Sequence, residues 1–239
     1  APTRHLPAYV ALGFSRTLHR QLRHCGGFMF HADEVAGRKA LTAASVSVSP
    51  KTRPSYAIAN QPLVAPMLVK MTDANLRETI TGLTSFANRY YAAAPGIQAS
   101  NWLKEKWEAV ADDRDHISVA QYAHTQFDQR SVIATIEGSD MADQVVVLGA
   151  HLDTINILAN KDTTKAPGAD DDASGIAGLT EVLRVIAESG YKPRRTIKLI
   201  GYAAEEVGLR GSQEIADEYK RNDVNVVGVL QLDMINYKG

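Results

Sequence analysis

Eight side chains in this sequence are of types that bind metal ions, and each lies just after an apolar stretch or just before one. They are His151, Asp153, Asp170, Asp171, Asp172, Glu205, Glu206 and Asp233. Crowded carboxylates repel one another unless a cation compensates their charge. A histidine ligand favours zinc or another transition metal over magnesium. The spacing of an EF-hand calcium loop is missing, so the pattern favours a transition-metal site.

Each of these groups also has an ordinary structural explanation. A core histidine, a helix-capping aspartate, a surface pair of glutamates and a salt-bridged aspartate are all common in proteins. Four such groups in series at strand ends favour a metal hydrolase. The residues alone leave one alternative open, a binding domain that an ion stabilises.

The two glutamates could divide the work of a hydrolase. Because Glu205 and Glu206 are adjacent, one could bind the metal while the other stays free. A free carboxylate beside the metal could accept a proton from the attacking water. His151 and Asp153 are two residues apart at a strand end and point the same way, so Asp153 could brace the imidazole.

The elements that must position these groups alternate between strands and helices. Apolar runs predict strands over residues 117–122, 131–136, 145–150, 196–203 and 226–232. Helical periodicity predicts helices that begin with an N-cap at Asp73, span 99–111, run from the aspartates to Gly190, and span 211–220. We therefore expect an α/β fold with a mostly parallel, mixed sheet, buried on both faces and sandwiched by helices. Ligands bind at the carboxyl ends of the strands in such sheets.

Composition excludes several other classes of protein. The net charge is −1 and the pI is about 6.7, so no basic field would attract nucleic acid. No apolar run approaches the roughly 20 residues that span a bilayer, and we expect no membrane partner. Cys25 is the only cysteine, so an internal disulfide is excluded.

Residues 1–54 differ from the rest of the chain. They hold four of the seven histidines and end in SVSVSPKTRPS, a stretch of linker composition. We therefore divide the chain at this point, into a segment of residues 1–54 and a domain of residues 55–239.

Four longer strings resemble the bacterial leucyl aminopeptidase group of zinc exopeptidases. They are AHLDT, APGADDDASGIAGLTEVLRVI, YAAEEVGLRGSQ and LQLDMINYKG, and the resemblance extends over residues 75–239. It implies a zinc exopeptidase fold with two zinc ions. It also implies removal of an N-terminal apolar residue, such as leucine, from peptides with a free N-terminus.

The resemblance also implies roles for single residues. His151 and Asp233 would bind one zinc ion, Glu206 would bind the other, and Asp171 would bridge both. The family's fifth ligand, a histidine, lies downstream of the position of Asp233 and is missing here. We therefore expect residues 55–239 to be the N-terminal part of the catalytic domain, with the C-terminal part missing and the 239-residue chain inactive or very weak.

Two residues would assist these ligands. By the resemblance, Glu205 is the general base, which passes the proton of the water to the leaving amine, and Asp153 supports His151. The same-fold alternatives are a zinc carboxypeptidase and a glutaminyl cyclase. A non-catalytic ectodomain is the alternative from another functional class.

The N-terminal string LHRQLRHCGGFMFH resembles the pro-region of secreted members of this group. It implies a zymogen whose processing site lies near residues 53–63, and a secreted or periplasmic protein. One hypothesis is that Cys25 or a neighbouring histidine blocks the zinc site in the latent form. We expect a monomer.

Overall fold

The computed structural model describes residues 17, 21, 29–31, 33–45, 57, 59–112, 114–156, 158–159 and 161–237. The chain divides into two compact units, Ala1–Ala65 and Pro66–Gly239. Cys25 and the boundary predicted between residues 54 and 55 lie outside the described residues. Those two predictions therefore stay predictions.

The first unit contains one complete described helix, α1 (Glu34–Ser45). The Asp33 carboxylate accepts a hydrogen bond from the Ala36 N–H at 2.8 Å, which satisfies a donor of the first turn. A second helix, α2 (Gln61–Leu68), crosses the division between the units.

The second unit alternates strands and helices after two initial helices. In chain order its elements are α3 (Asp73–Thr84), α4 (Ala94–Ala111), β1 (Ile117–Tyr122), β2 (Ser131–Ile136), β3 (Met141–His151), α5 (Ala173–Ser189), β4 (Arg195–Tyr202), α6 (Arg210–Arg221) and β5 (Asn225–Gln231). Each predicted strand is therefore present, with ends that differ by at most four residues from the predicted ones.

The five strands form one mixed sheet in the order β1-β2-β4-β3-β5. The β1–β2 and β2–β4 pairs are antiparallel, whereas β3 is parallel to both β4 and β5. The predicted α/β fold with a mixed sheet is confirmed. Since β3, β4 and β5 run in the same direction, their carboxyl ends meet at one edge of the sheet.

Two helix starts differ from the prediction. Thr72, rather than Asp73, is the N-cap of α3, because its hydroxyl accepts a hydrogen bond from the Asn75 N–H at 3.3 Å. Asp73 occupies the first turn, where a negative charge suits the helix dipole. Helix α4 begins five residues earlier than predicted, with Pro95 in its first turn, a position that suits proline because its missing N–H would be unpaired anyway.

Helices cover both faces of the sheet. On one face α3, α4 and α5 enclose a core that includes Leu83, Trp107 and Leu199, all fully buried. On the other face Ile215 of α6 packs with Val145 and Ile200. These two layers bury the centre of the sheet from both sides.

Strand β5 does not follow the prediction that every strand is buried on both faces. Val229 and Leu230 are 68% and 55% exposed. Strand β5 is the edge of the described sheet and pairs with β3 alone. Its apolar sequence predicted a strand, but burial depends on what packs beside it.

Within the described residues, every helix is too short or too polar to cross a lipid bilayer.

Candidate metal centre

The carboxyl-end edge of the parallel strands brings the predicted residues together. His151 is the last residue of β3, the two glutamates follow β4 within four residues, and Asp233 follows β5 within two. The three aspartates precede α5, whose N-terminus meets the same edge. A cluster assembled from four places in the chain is what parallel strand ends predict.

His151 lies at the centre of this cluster and is 1% exposed. Its Nδ1 atom lies 3.1 Å from the main-chain oxygen of Asp153, so Nδ1 must carry the hydrogen of that bond. Its Nε2 atom lies 2.7 Å from Oδ1 of Asp171. Burial opposes the charged form, but the carboxylates of Asp153 and Asp171 raise the pKa of His151 well above its usual value. A metal ion would take the place of the Nε2 proton.

Asp171 and Asp172 occupy different surroundings, although they are adjacent. Asp172 is buried and is the N-cap of α5: its Oδ1 accepts from the Gly175 N–H at 2.9 Å, and its Oδ2 accepts from the His151 N–H at 3.0 Å. Burial raises the pKa of Asp172 to about 6. The side chain of Asp171 is 39% exposed. Burial raises its pKa, but the hydrogen bond with His151 outweighs this effect and holds the pKa below its usual value.

Asp153 supports the turn after β4 as well as the histidine. Its carboxylate accepts hydrogen bonds from the Glu205 N–H at 2.8 Å and the Glu206 N–H at 3.2 Å. It lies 3.6 Å from Nδ1 of His151, farther than its own main-chain oxygen. Asp153 therefore connects the two strand ends that carry the histidine and the glutamates.

The two glutamates face the same imidazole. Oε2 of Glu205 lies 4.0 Å from Nε2 of His151. Burial, together with the neighbouring carboxylates, raises the pKa of Glu205 to about 7, and burial raises the pKa of Glu206 well above its usual value. Such shifts are expected where several buried carboxylates share a site without a compensating cation.

Two groups of ligand atoms in the described residues could each hold a metal ion. One comprises His151, Asp171 and Glu206, and the other His151, Asp172 and Asp233, with the ligand atoms of each group within 4.8 Å of one another. One imidazole nitrogen with carboxylate oxygens suits zinc. The donor set therefore fits the metal that the sequence predicts.

Asp233 lies just beyond the end of β5 and is partly exposed. It follows Gln231, the last residue of β5, and its side chain is 48% exposed. Burial still raises its pKa. Because Asp233 keeps contact with solvent and lies 4.0 Å from Nε2 of His151, it needs no salt bridge with a basic side chain to hold it.

Sequence reasoning missed Arg89, a fully buried residue beside the centre. Burial lowers the pKa of its guanidinium to about 10, against the nearby carboxylates, which raise it. Its hydrogen-bond acceptors are main-chain oxygens. Every residue carries a main-chain oxygen, so the sequence carried no signal that Arg89 would be buried beside the metal centre.

The sequence profile of peptidase family M28 matches residues 131–239, which include every predicted ligand. Residues 131–239 carry a peptidase M28 domain. The M28 domain of this chain thus contains β2 to β5, α5 and α6, the elements that hold the ligands. The resemblance of the four strings to zinc exopeptidases is confirmed.

Relatives of this M28 domain include curated and solved proteins. Leucine aminopeptidase 1 of Uncinocarpus reesii is 36% identical over 203 residues, which cover 81% of this chain and 50% of that protein. The LapA aminopeptidase of Legionella pneumophila is similar in structure, with a TM-score of 0.69, 32% identity and coverage of 77% of this chain and 49% of LapA. LapB of the same organism has a TM-score of 0.79 at 27% identity, with coverage of 98% and 62%. The chain spans about half the length of the curated relatives it matches.

Proposed function

We propose that the M28 domain belongs to a zinc-dependent aminopeptidase that removes an apolar N-terminal residue, such as leucine, from peptides, and that the 239-residue chain by itself is inactive or very weak. The observation that carries this proposal is that two groups of possible ligand atoms share His151 at the strand ends, one with Asp171 and Glu206 and the other with Asp172 and Asp233. The leucine aminopeptidase and LapA relatives support the choice of substrate. The substrates would be peptides with a free N-terminus.

Two zinc ions would share these ligands, with His151 and Asp233 on one, Glu206 on the other, and Asp171 bridging both. The open position of Asp171 favours it over Asp172, whose oxygens already accept hydrogen bonds from main-chain N–H groups. When bound, zinc supplies a Lewis acid that polarises a carbonyl and makes water more acidic.

Glu205 would be the general base. It belongs to neither group of ligand atoms, yet it lies 4.0 Å from His151. A carboxylate in this position can accept a proton from the attacking water and then donate it to the leaving amine. Asp153 would hold the main chain of Glu205 in place through its 2.8 Å hydrogen bond.

The test uses the full-length protein, with zinc content measured by mass spectrometry and hydrolysis measured on leucyl amide and on N-acetyl-leucyl amide. We expect bound zinc and hydrolysis of the free-amine substrate alone. Glu205→Gln should keep its zinc and lower kcat by about 10²- to 10⁴-fold, the usual contribution of a general base. Glu188→Gln, on the outer surface of α5, is the matched control and should keep wild-type kcat.

Two results would contradict the proposal. Bound zinc with no action on free-amine substrates would favour a carboxypeptidase or a glutaminyl cyclase, and a metal-free, inactive protein would favour a non-catalytic ectodomain. A Glu205→Gln protein with wild-type kcat would remove Glu205 from its role as base.

A further inference from the structure

Arg89 is a buried cation whose hydrogen bonds connect two segments of the metal centre. Its Nε donates to the main-chain oxygen of Leu152 at 2.8 Å, between the histidine and Asp153. Its Nη1 and Nη2 donate to the oxygens of Pro167 at 2.5 Å and Gly168 at 2.9 Å, just before the aspartates. The planar guanidinium can satisfy such divergent acceptors at once, whereas a lysine ammonium cannot.

Two neighbours of Arg89 tighten the same connection. The Thr154 hydroxyl accepts from the Arg89 N–H at 2.8 Å and donates to the Ala166 oxygen at 2.9 Å. Gly168 has a φ of 51°, and a Cβ there would lie 2.2 Å from Thr154 and 2.3 Å from the Asp171 oxygen. The loop before α5 therefore packs against Thr154, just after β3, without space for a side chain at position 168.

The positive charge of Arg89 acts on several carboxylates of the metal centre rather than on one of them. Among the described residues, no carboxylate lies within 4.0 Å of its guanidinium, so it forms no direct ion pair. It interacts electrostatically with Asp153, Asp172, Asp171 and Glu206. A buried positive charge near these carboxylates offsets part of the repulsion among them.

We propose that Arg89 is a positioning residue of the metal centre: by tying Leu152 to Pro167 and Gly168, it fixes the spacing of His151 and Asp171 at which a metal ion binds. This inference rests on the proposed zinc site. It predicts that loss of the guanidinium weakens metal binding in a protein that is still folded.

The experiment measures zinc affinity of the metal-free full-length protein by competition with a chromophoric chelator, and the absorption spectrum of bound cobalt. Arg89→Met and Arg89→Lys should both bind zinc about 10- to 100-fold more weakly, the usual effect of changing a residue that orients metal ligands. The cobalt spectrum should change as well. Arg184→Met is the control, because Arg184 pairs with Glu181 and Glu188 on α5, outside the metal centre; it should keep wild-type zinc affinity.

A second pair of variants keeps the test decisive if loss of Arg89 prevents folding. Thr154→Val removes the hydroxyl between Arg89 and Ala166 and should weaken zinc binding, whereas Thr154→Ser should restore wild-type affinity. Circular dichroism of the metal-free proteins identifies the folded variants. Wild-type zinc affinity in a folded Arg89→Met would overturn the inference about Arg89 but not the zinc site. If Arg89→Met does not fold, wild-type zinc affinity in Thr154→Val would do the same. A wild-type protein that binds no zinc would overturn the zinc site and the inference together.

Discussion

Asp171 and Asp172 have the same side chain and adjacent positions, yet the fold gives them different surroundings. Asp172 is fully buried and accepts three main-chain hydrogen bonds, from His151, Gly175 and Met234. Asp171 is partly exposed and faces the imidazole. These surroundings favour the proposal that Asp172 supports the structure and Asp171 binds the metal.

This difference predicts different effects for two isosteric substitutions. Asp171→Asn should abolish tight zinc binding and should lower the stability of the metal-free protein less than Asp172→Asn, because its partly exposed carboxylate loses only the charged hydrogen bond with His151. Asp172→Asn should lower the free energy of unfolding of the metal-free protein by about 1–2 kcal/mol, because the amide nitrogen of asparagine cannot accept a hydrogen bond and one buried main-chain N–H loses its acceptor. Urea unfolding with a chelator and zinc titration measure the two effects.

Each variant is the control for the other. Equal loss of metal-free stability in both would show that the two aspartates support the fold alike. Unchanged zinc affinity in Asp171→Asn would exclude it as a ligand.

At the scale of elements, a buried hydrogen-bond chain fixes the end of β4 just before the two glutamates. The Ser131 hydroxyl accepts from the Ala203 N–H at 2.9 Å and lies 2.8 Å from Nε2 of His124. Nδ1 of His124 lies 2.9 Å from the Glu214 carboxylate of α6, which can only accept, so Nδ1 donates there and Nε2 of the neutral imidazole accepts from the Ser131 hydroxyl. These hydrogen bonds join β2, β4 and α6 through a neutral imidazole.

His124 should make the fold sensitive to acid. Burial lowers its pKa, against the raising effect of Glu214, while Arg210 adds to the lowering. Because the folded pKa lies below the unfolded value, the unfolded chain takes up a proton first as pH falls through about 6.5. The free energy of unfolding should therefore fall more between about pH 7 and about pH 5 in the wild type than in His124→Gln.

The measurement is urea unfolding at the two pH values with a chelator present. Tyr122→Phe is the matched control, since it changes the same aromatic cluster without removing a group that titrates in this range. Between the two pH values, its free energy of unfolding should fall by as much as that of the wild type. The same loss in His124→Gln would mean that His124 does not titrate differently in the folded protein.

At the scale of the whole molecule, the ligands are far apart in sequence, from His151 to Asp233, and only the folded sheet brings them together. A metal ion therefore binds the folded chain much better than the unfolded one. Binding of this kind stabilises the fold by mass action.

Zinc should accordingly raise the unfolding temperature of the full-length protein. At a free zinc concentration about 100 times the dissociation constant, the gain is about 2.7 kcal/mol, or roughly 5–10 °C for a domain of this size. Scanning calorimetry with zinc and with a chelator measures the shift. Asp171→Asn should show little shift, and an equal shift in that variant would place the stabilising ion elsewhere.

The sequence by itself determined most of the elements and the candidate ligands. Apolar runs and helical periodicity depend on local spacing, so the five strands and the starts of α3 to α6 could be predicted to within five residues, whereas α1 and α2 were not predicted. The residues that follow the parallel strands were recognisable because ligand chemistry depends on residue type. Their meeting point followed from the rule that parallel strands end at one edge.

Only the tertiary structure decided the order of the strands, with β4 between β2 and β3, and the exposure of β5. It also showed the different surroundings of Asp171 and Asp172 and the position of Arg89. These features depend on contacts between distant segments, and several of the partners are main-chain N–H and C=O groups. Every residue carries such groups, so no pattern of side chains can mark which of them will meet.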